Sequence, residues 1–254
     1  TPVVYSLQKV AKSVVFVCGI ICSMKFPITR REDAADVMHG QTIVDHYRFL
    51  EDGESGEVKE WVQVQNEFTD TNLRTKTFDI FVKELADDFR VTNFSNPVIC
   101  KEKYFYSERQ AGQEQFAIYV KEGIHGVPVK IVDANGMNEE NTISIEYWFV
   151  SKTGKYLAYG LASGGEEMPT LYVKNITDDS IVDEIPRCKA AQVCWLSDDS
   201  GFYYKRNLEE GSVPQNEEHL HSKVYYHQLG TSYKNDPIIF GIGRPKDDII
   251  SLSI

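Results

Sequence analysis

The sequence lacks the short motifs that mark the commonest catalytic and cofactor sites. It contains no Gly-x-Ser-x-Gly, the turn that exposes a serine nucleophile, and no Cys-x-x-Cys pair of the kind that binds zinc. The stretch 160–164 comes nearest to the first motif, but its spacing is wrong, and Ser163 is interpreted as a turn serine. Gly241 and Gly243 lack the third glycine of a dinucleotide-binding loop. We therefore expect no catalytic residue and no cofactor-binding site in this chain.

Histidine is scarce, and only two of the six histidines are spaced to share a metal ion. His219 and His221 could bind it from one face of a strand, but they lie in a polar loop without an evident third ligand. The sequence therefore favours a solvated loop over a metal site. His39 is interpreted as a structural residue, and Trp61 as a packing anchor on a helix.

Basic residues and long apolar runs are also in short supply. The 254 residues include 27 Lys and Arg against 38 Asp and Glu, a net charge of −11 that disfavours nucleic acid as a partner. The apolar run 14–22 is too short to cross a bilayer, so no membrane association is expected. It follows Lys9 and Lys12 as in a signal peptide, but no small-residue cleavage site comes after it, and Met24 offers an alternative start. Residues 1–25 are therefore either an upstream extension or a signal-like segment.

The cysteines do not form a recognisable disulfide framework. There are five of them, an odd number, and their spacing is irregular. This pattern predicts reduced, mostly buried thiols in a reducing compartment. The expected location is the cytoplasm, or a secreted or periplasmic one if residues 1–23 act as a signal peptide.

The pattern of apolar residues changes character near residue 90. Residues 27–53 are predicted to be irregular. Within 57–90 the apolar residues recur at helical spacing, and Ser55 and Glu57 mark the start of a helix. A break between two helices is predicted at 69–75. Beyond this region no further helix is expected.

From residue 91 onward the sequence predicts strands in a repeating order. Residues 149–159 and 195–204 each carry a bulky residue, a serine, a glycine-containing turn and an aromatic strand, and 104–109 is a partial copy. A period of about 45–55 residues is typical of β-propeller blades. The fold predicted is mainly β with an N-terminal helical segment, an incomplete propeller of about three blades. Its clearest strands are predicted at 103–107, 115–120, 170–173, 223–227 and 237–240.

The final residues look like the start of another copy of this repeat. Ser253 stands where Ser151 and Ser197 stand in the earlier copies. A propeller closes its ring and so covers its edge strands. Too few copies are present to close a ring, so we expect a chain that is truncated within its propeller.

The stretch 38–66, MHGQTIVDHYRFLEDGESGEVKEWVQVQN, resembles the N-terminal signature of the prolyl oligopeptidase family. Residues 154–161, 194–206 and 222–231 resemble the propeller strands of that family. The resemblance covers residues 26–254. It implies that 26–90 form an N-terminal segment that packs on a hydrolase domain and that 91–254 form the first blades of the propeller. The matching residues of the signature are His39-Gly40, Val44-Asp45, Tyr47-Arg48, Leu50-Glu51-Asp52, Trp61-Val62 and Gln65-Asn66.

Four features depart from the family pattern, one of which is the stretch 165–170, GEEMPT, in place of the usual SGSDW pattern. His46 stands where the family has proline, and Phe49 where it has tryptophan. The stretch 189–192 has no aromatic residue, although the family lines its substrate pocket with one at this point. The cleavage preference therefore lies between proline and the basic residues preferred by the related oligopeptidase B, and Leu50-Glu51-Asp52 favours the proline branch.

The resemblance implies the N-terminal part of a serine endopeptidase that cleaves short peptides after proline, with the propeller gating access. The catalytic triad of the family lies in an α/β-hydrolase domain, the implied intramolecular partner, which has no counterpart in this sequence. We therefore expect the chain alone to be inactive. The alternatives are an oligopeptidase B-like peptidase and a non-enzymatic propeller that binds protein partners. The absence of a repeated Gly-His and Trp-Asp pattern disfavours the last of these.

Overall fold

The computed structural model describes residues 25–189 and 191–253, which divide into two compact units between Asp87 and Asp88. Unit 1, residues 25–87, begins with a hairpin of two antiparallel strands, β1 (Ala34–Met38) and β2 (Gln41–Asp45). His39 and Gly40 form its turn with positive φ of 51° and 77°, as a two-residue hairpin turn requires. A 3-10 helix, Arg48–Glu51, follows.

The prediction that residues 27–53 are irregular is therefore wrong. Both strands of the hairpin are largely exposed, so their sequences do not show the alternation of polar and apolar residues that marks a half-buried strand. The one signal that could have found the hairpin is the His39-Gly40 pair at its turn. Gly40 alone indicated a turn but not the strands on either side.

Two helices complete unit 1, as the helical spacing predicts. Helix α1 (Gly56–Leu73) begins after Ser55, whose Oγ accepts the backbone N–H of Val58 at 3.2 Å. Helix α2 (Lys76–Asp88) follows after Arg74 and Thr75. Within the described ranges, no helix combines the length and the apolarity that a bilayer crossing needs.

The break between the helices is shorter than the predicted 69–75. Thr69 and Thr71 lie inside α1, where each hydroxyl donates to the carbonyl of the fourth residue before it at 2.8 Å. Since the helix backbone itself satisfies these hydroxyls, the polar stretch does not end the helix.

The residues that depart from the family signature have partners within unit 1. The Arg30 guanidinium lies 4.1 Å from the centre of the Phe49 ring. His46 Nδ1 lies 2.8 Å from the carbonyl oxygen of Glu32.

Trp61 donates from Nε1 to Thr29 Oγ1 at 3.0 Å and so ties α1 to the segment before the hairpin. By contrast, α2 has no buried residue, and its Phe81 is 57% exposed.

Unit 2, residues 88–253, consists of three antiparallel sheets that follow one another along the chain. This order confirms the predicted β fold of about three blades, and the change from helix to strand near residue 90 is also confirmed. Sheet 1 contains β3 (Asn93–Phe94), β4 (Val98–Cys100), β5 (Lys103–Arg109), β6 (Ala117–Glu122) and β7 (Val129–Asp133). Sheet 2 contains β8 (Ile143–Val150), β9 (Tyr156–Ser163), β10 (Thr170–Asn175) and β11 (Ile181–Ile185). Sheet 3 contains β12 (Val193–Trp195), β13 (Gly201–Arg206), β14 (Lys223–Gln228) and β15 (Ile238–Phe240).

The apolar core lies in two layers between consecutive sheets. Phe105 and Ile118 of sheet 1 pack with Leu157 of sheet 2 and form the 1–2 interface. Leu171 of sheet 2 packs with Phe202 of sheet 3 in the 2–3 interface. Each sheet therefore buries its side chains against the next sheet along the chain, as the blades of a propeller do.

A single glycine permits close packing within sheet 2. Gly160 on β9 lies against the ring of Tyr147 on β8, and a Cβ at this position would come within 2.3 Å of the ring. The Tyr147 hydroxyl then reaches the carbonyl of Cys188 and donates to it at 2.8 Å. Position 160 thus requires glycine, because any larger residue would collide with the Tyr147 ring.

Candidate functional site

Three connections emerge at one end of sheets 2 and 3, and we call this region the loop end. The connections are 164–169 after β9, 186–192 after β11 and 207–222 after β13. They meet because antiparallel strands that alternate in direction bring every second connection to the same end of a sheet. The loop end therefore gathers polar side chains from segments that are far apart in sequence.

Ion pairs hold the loop end together. Arg187 pairs with Glu218 and donates from Nε to the carbonyl of Leu208 at 2.5 Å. The backbone N–H of Gly211 donates to Glu218 at 3.0 Å, and this bond, together with Arg187, lowers the pKa of the Glu218 carboxyl. The connection 207–222 is thus fastened to the segment before β12.

His219 and His221, which the sequence analysis assigns to a solvated loop, have separate carboxylate partners. His221 Nε2 lies 2.7 Å from Glu217, which also pairs with Lys246 at 2.6 Å. These contacts, with His221 the largest, lower the pKa of the Glu217 carboxyl. His219 Nδ1 instead lies 3.7 Å from Glu167. Among the described residues, no group of three His, Cys, Asp or Glu side chains is arranged to hold a metal ion.

A small cleft of about 210 Å³ opens beside this network. Lys189, Lys205 and Lys246 contribute its basic side chains, and Leu220 and Ile249 contribute apolar ones. Lys189 pairs with Glu167 across the loop end. The chain therefore places three ammonium groups around a space smaller than the roughly 300–1,000 Å³ typical of whole small-molecule pockets.

A fully buried histidine lies deeper in the 2–3 interface. His227 on β14 is 0% exposed, with Nδ1 2.9 Å from Asp236 and Nε2 3.3 Å from Asp183 of sheet 2. Burial alone opposes a charge on the ring, but the carboxylates of Asp183 and Asp236 outweigh it and raise the pKa of His227 to about 9. Tyr204 donates to Asp236 at 2.8 Å, and the N–H of Gly230 donates to Asp183 at 3.0 Å. The arrangement is a buried imidazolium between two carboxylates.

A second polar contact crosses the 2–3 interface at the end of the sheets opposite to the loop end. Ser151, the serine of the first sequence repeat, donates from Oγ to Asp199 Oδ2 at 2.7 Å. Thr153 also donates its hydroxyl to this carboxylate. Asp199 lies in the turn of the next repeat and has a φ of 58°. The turn after β8 is thus tied to the turn after β12. The sequence shows the repeated serine but not this partner.

A larger groove of about 640 Å³ runs along the face of sheet 3 that points away from sheet 2. Tyr203, Val224 and Phe240 line it. Residues 250–253, where the sequence predicted the start of another copy, lie along this groove without regular structure. The apolar face of sheet 3 is thus only partly covered within the described residues.

The remaining sequence candidates lie in ordinary structural positions. Ser163 is the exposed last residue of β9 and precedes the turn at Gly164. Cys188 is a free, buried thiol, and burial raises its pKa to about 12. Cys100 and Cys194 are free and half-buried, whereas Cys18 and Cys22 lie outside the described residues. The predictions for residues 1–23 likewise fall outside them.

Comparison with known proteins gives one consistent family. A sequence model described as "Prolyl oligopeptidase, N-terminal beta-propeller domain" matches residues 26–254. A prolyl endopeptidase from Elizabethkingia meningoseptica is 29% identical over 221 residues, which cover 86% of this chain and 31% of the relative. Prolyl oligopeptidase A from Amanita bisporigera is 26% identical over 250 residues, 84% of this chain and 32% of the relative. The chain thus spans about a third of the length of these relatives.

Solved structures agree with the sequence comparisons. A prolyl endopeptidase structure, from a study of inter-domain dynamics in catalysis and specificity, superposes with a TM-score of 0.77 at 27% identity. The match covers 85% of this chain and 32% of that one. The chain thus resembles these proteins in both sequence and fold. The chain belongs to the prolyl oligopeptidase family and corresponds to its N-terminal β-propeller domain.

Proposed function

We propose that this chain is the propeller part of a serine peptidase that hydrolyses short peptides after proline, and that the propeller limits which peptides reach the catalytic domain. The observation that carries the proposal is the family match over residues 26–254, supported by the fold agreement with a prolyl endopeptidase. The catalytic triad belongs to an α/β-hydrolase domain that this chain would cover in the whole protein.

The exposed apolar surfaces of the chain support such a larger assembly. In unit 1, Phe78, Ile80 and Phe81 of α2 are 41–57% exposed, a surface that a packed domain would cover. In unit 2, the groove on sheet 3 offers an apolar face to a further sheet. A ring completed in this way surrounds a narrow central channel, which an extended peptide can enter and a folded protein cannot.

The chain alone is expected to be inactive, because acyl transfer by serine needs a nucleophile, a histidine and an orienting acid together. With the purified chain, a chromogenic Gly-Pro amide should be hydrolysed no faster than in a blank without protein. Turnover that survives repurification of the chain contradicts this expectation.

Substrate preference is tested with the natural protein that carries this chain. Matched amides with proline, arginine or alanine before the cleaved bond are compared by kcat/KM, and the proline substrate should be hydrolysed fastest. Fastest cleavage after arginine supports the oligopeptidase B alternative, and hydrolysis of none supports a non-enzymatic binding protein. Both results contradict the proposal.

Gating by the propeller is tested with one proline-containing sequence in two contexts. The sequence should be cleaved as a free short peptide but remain intact when it forms an exposed loop of a folded protein. Unfolding that protein beforehand controls for the sequence itself. Equal cleavage of the free peptide and the folded loop contradicts the gating role.

A further inference from the structure

Lys205 is the unusual member of the small cleft at the loop end. It lies on β13, a half-buried residue between Tyr204 and Arg206. The other two lysines of the cleft are neutralised, Lys189 by Glu167 and Lys246 by Glu217. No carboxylate among the residues that the structure describes pairs with Lys205.

The surroundings of Lys205 disfavour its charge. Burial, and after it the nearby Lys189 ammonium, lower the pKa of Lys205 below its usual value. A half-buried ammonium beside a second one carries an electrostatic cost that a bound anion removes. The lysine is therefore poised for a ligand that brings a negative charge into the cleft.

The remaining lining narrows the chemistry of that ligand. Leu220 and the buried Ile250 form an apolar side of the cleft, while Asp247 and Asp248 also line it. Asp248 is paired with Arg244 at 2.6 Å, which leaves the exposed Asp247 carboxylate to repel a strongly charged anion such as a phosphate. A singly charged carboxylate attached to an apolar group fits both the lysines and the apolar side. The volume of about 210 Å³ suits one end group and not a whole cofactor.

We propose that this cleft binds a peptide carboxylate, with the Lys205 ammonium as its main partner and Lys189 beside it. The carboxylate can come from a free peptide C-terminus or from an Asp or Glu side chain. Leu220 and Ile250 contact the apolar part of the residue that carries it. This inference concerns binding and stands whether or not the whole protein cleaves after proline.

The test uses the full chain and three blocked dipeptides. Acetyl-Ala-Leu has a free C-terminal carboxylate, acetyl-Ala-Leu-amide has none, and acetyl-Ala-Glu-amide carries the charge on its side chain. Binding is followed by the NMR shifts of 13C-labelled lysine side chains during titration. We expect the Lys205 signal to move with at least one carboxylate peptide and not with the neutral amide. The peptide that binds more tightly identifies the source of the carboxylate.

Variants separate a specific site from general attraction. Lys205→Gln should weaken binding of the carboxylate peptide about tenfold, the value of one charge-assisted hydrogen bond. Lys205→Arg, which keeps the charge, should retain most of the binding. The matched control is Lys234→Gln, at an exposed lysine in the connection between β14 and β15 and outside the cleft, which should bind as the unaltered chain does.

Several results overturn the proposal. They are equal binding of the amide and the acid, an unchanged affinity in Lys205→Gln, an equal loss in Lys234→Gln, and no shift of the Lys205 signal at millimolar peptide. Lys205→Gln could also lower the melting temperature. In that case the peptide affinity of Lys205→Arg and the NMR shift of Lys205 in the unaltered chain still test the proposal. Peptide cleavage is not measured, so failure here is distinct from failure of the proposed peptidase function.

Discussion

Replacement of His227 by glutamine tests whether a buried imidazolium joins sheets 2 and 3. In the folded chain the ring is 0% exposed and lies between Asp183 and Asp236. Glutamine keeps a polar side chain of similar length but removes the positive charge, so two carboxylates remain buried without their cation. Breaking a buried charge pair in this way costs about 3–5 kcal/mol of unfolding free energy.

The pH dependence follows from the raised pKa of His227. Its folded value of about 9 lies above the unfolded value of 6.5, and this difference corresponds to roughly 3 kcal/mol. The charged ring therefore stabilises the fold fully below about pH 6.5, and this contribution is lost as the pH rises through about 9. Alkaline conditions should thus bring the unaltered chain closer to the variant.

Urea unfolding measured at several pH values from about 6 to about 10 checks this reasoning. The unfolding free energy of the unaltered chain should exceed that of His227→Gln most at low pH, and the difference should shrink as the pH rises. His221→Gln is the matched control, because its pair with Glu217 is partly exposed and should contribute less than about 1 kcal/mol. Two curves that stay parallel over the whole range would falsify the charged state of His227.

Two further substitutions test packing between and within the sheets. Asp199→Asn weakens the acceptor that Ser151 and Thr153 share and should lower the unfolding free energy by about 1–3 kcal/mol. The control Asp198→Asn, at an exposed position, should lower it less. Equal losses in the two variants contradict this account. Gly160→Ala forces a methyl group into the Tyr147 ring and should cost roughly 1–3 kcal/mol by thermal unfolding, while Gly53→Ala, with open space around it, should change little. A Gly160→Ala chain that melts with the unaltered one refutes the close contact.

The strands of unit 2 could be predicted because their chemistry is local. Residues 103–107 and 170–173 are rich in aromatic and β-branched residues and end at turn residues, and both lie within observed strands. The hairpin of unit 1 was missed because β1 and β2 are largely exposed. Without a buried face, their sequences do not alternate between apolar and polar residues. Local sequence thus predicts the strands that pack into a core better than those that do not.

The polar sites could not be predicted, because their partners meet only in the fold. His227 was part of a predicted strand, but that strand has large side chains on both faces, so the sequence does not tell which face is buried. Its partner Asp183 belongs to the preceding sheet, and their proximity depends on how sheets 2 and 3 pack. The pKa of Lys205 is likewise lowered by burial and then by Lys189, which the connection after β11 brings to the same cleft.

The two interfaces of unit 2 differ in the kind of polar contact that crosses them. At the 1–2 interface, Lys174 and Cys100 donate to backbone carbonyls, at 2.7 Å and 3.1 Å respectively. At the 2–3 interface, buried carboxylates hold a charged ring. The 2–3 interface therefore contains a buried charge whose state changes with pH. When alkali removes the charge from His227, Asp183 and Asp236 lose their shared cation, so the contact that joins sheets 2 and 3 should weaken.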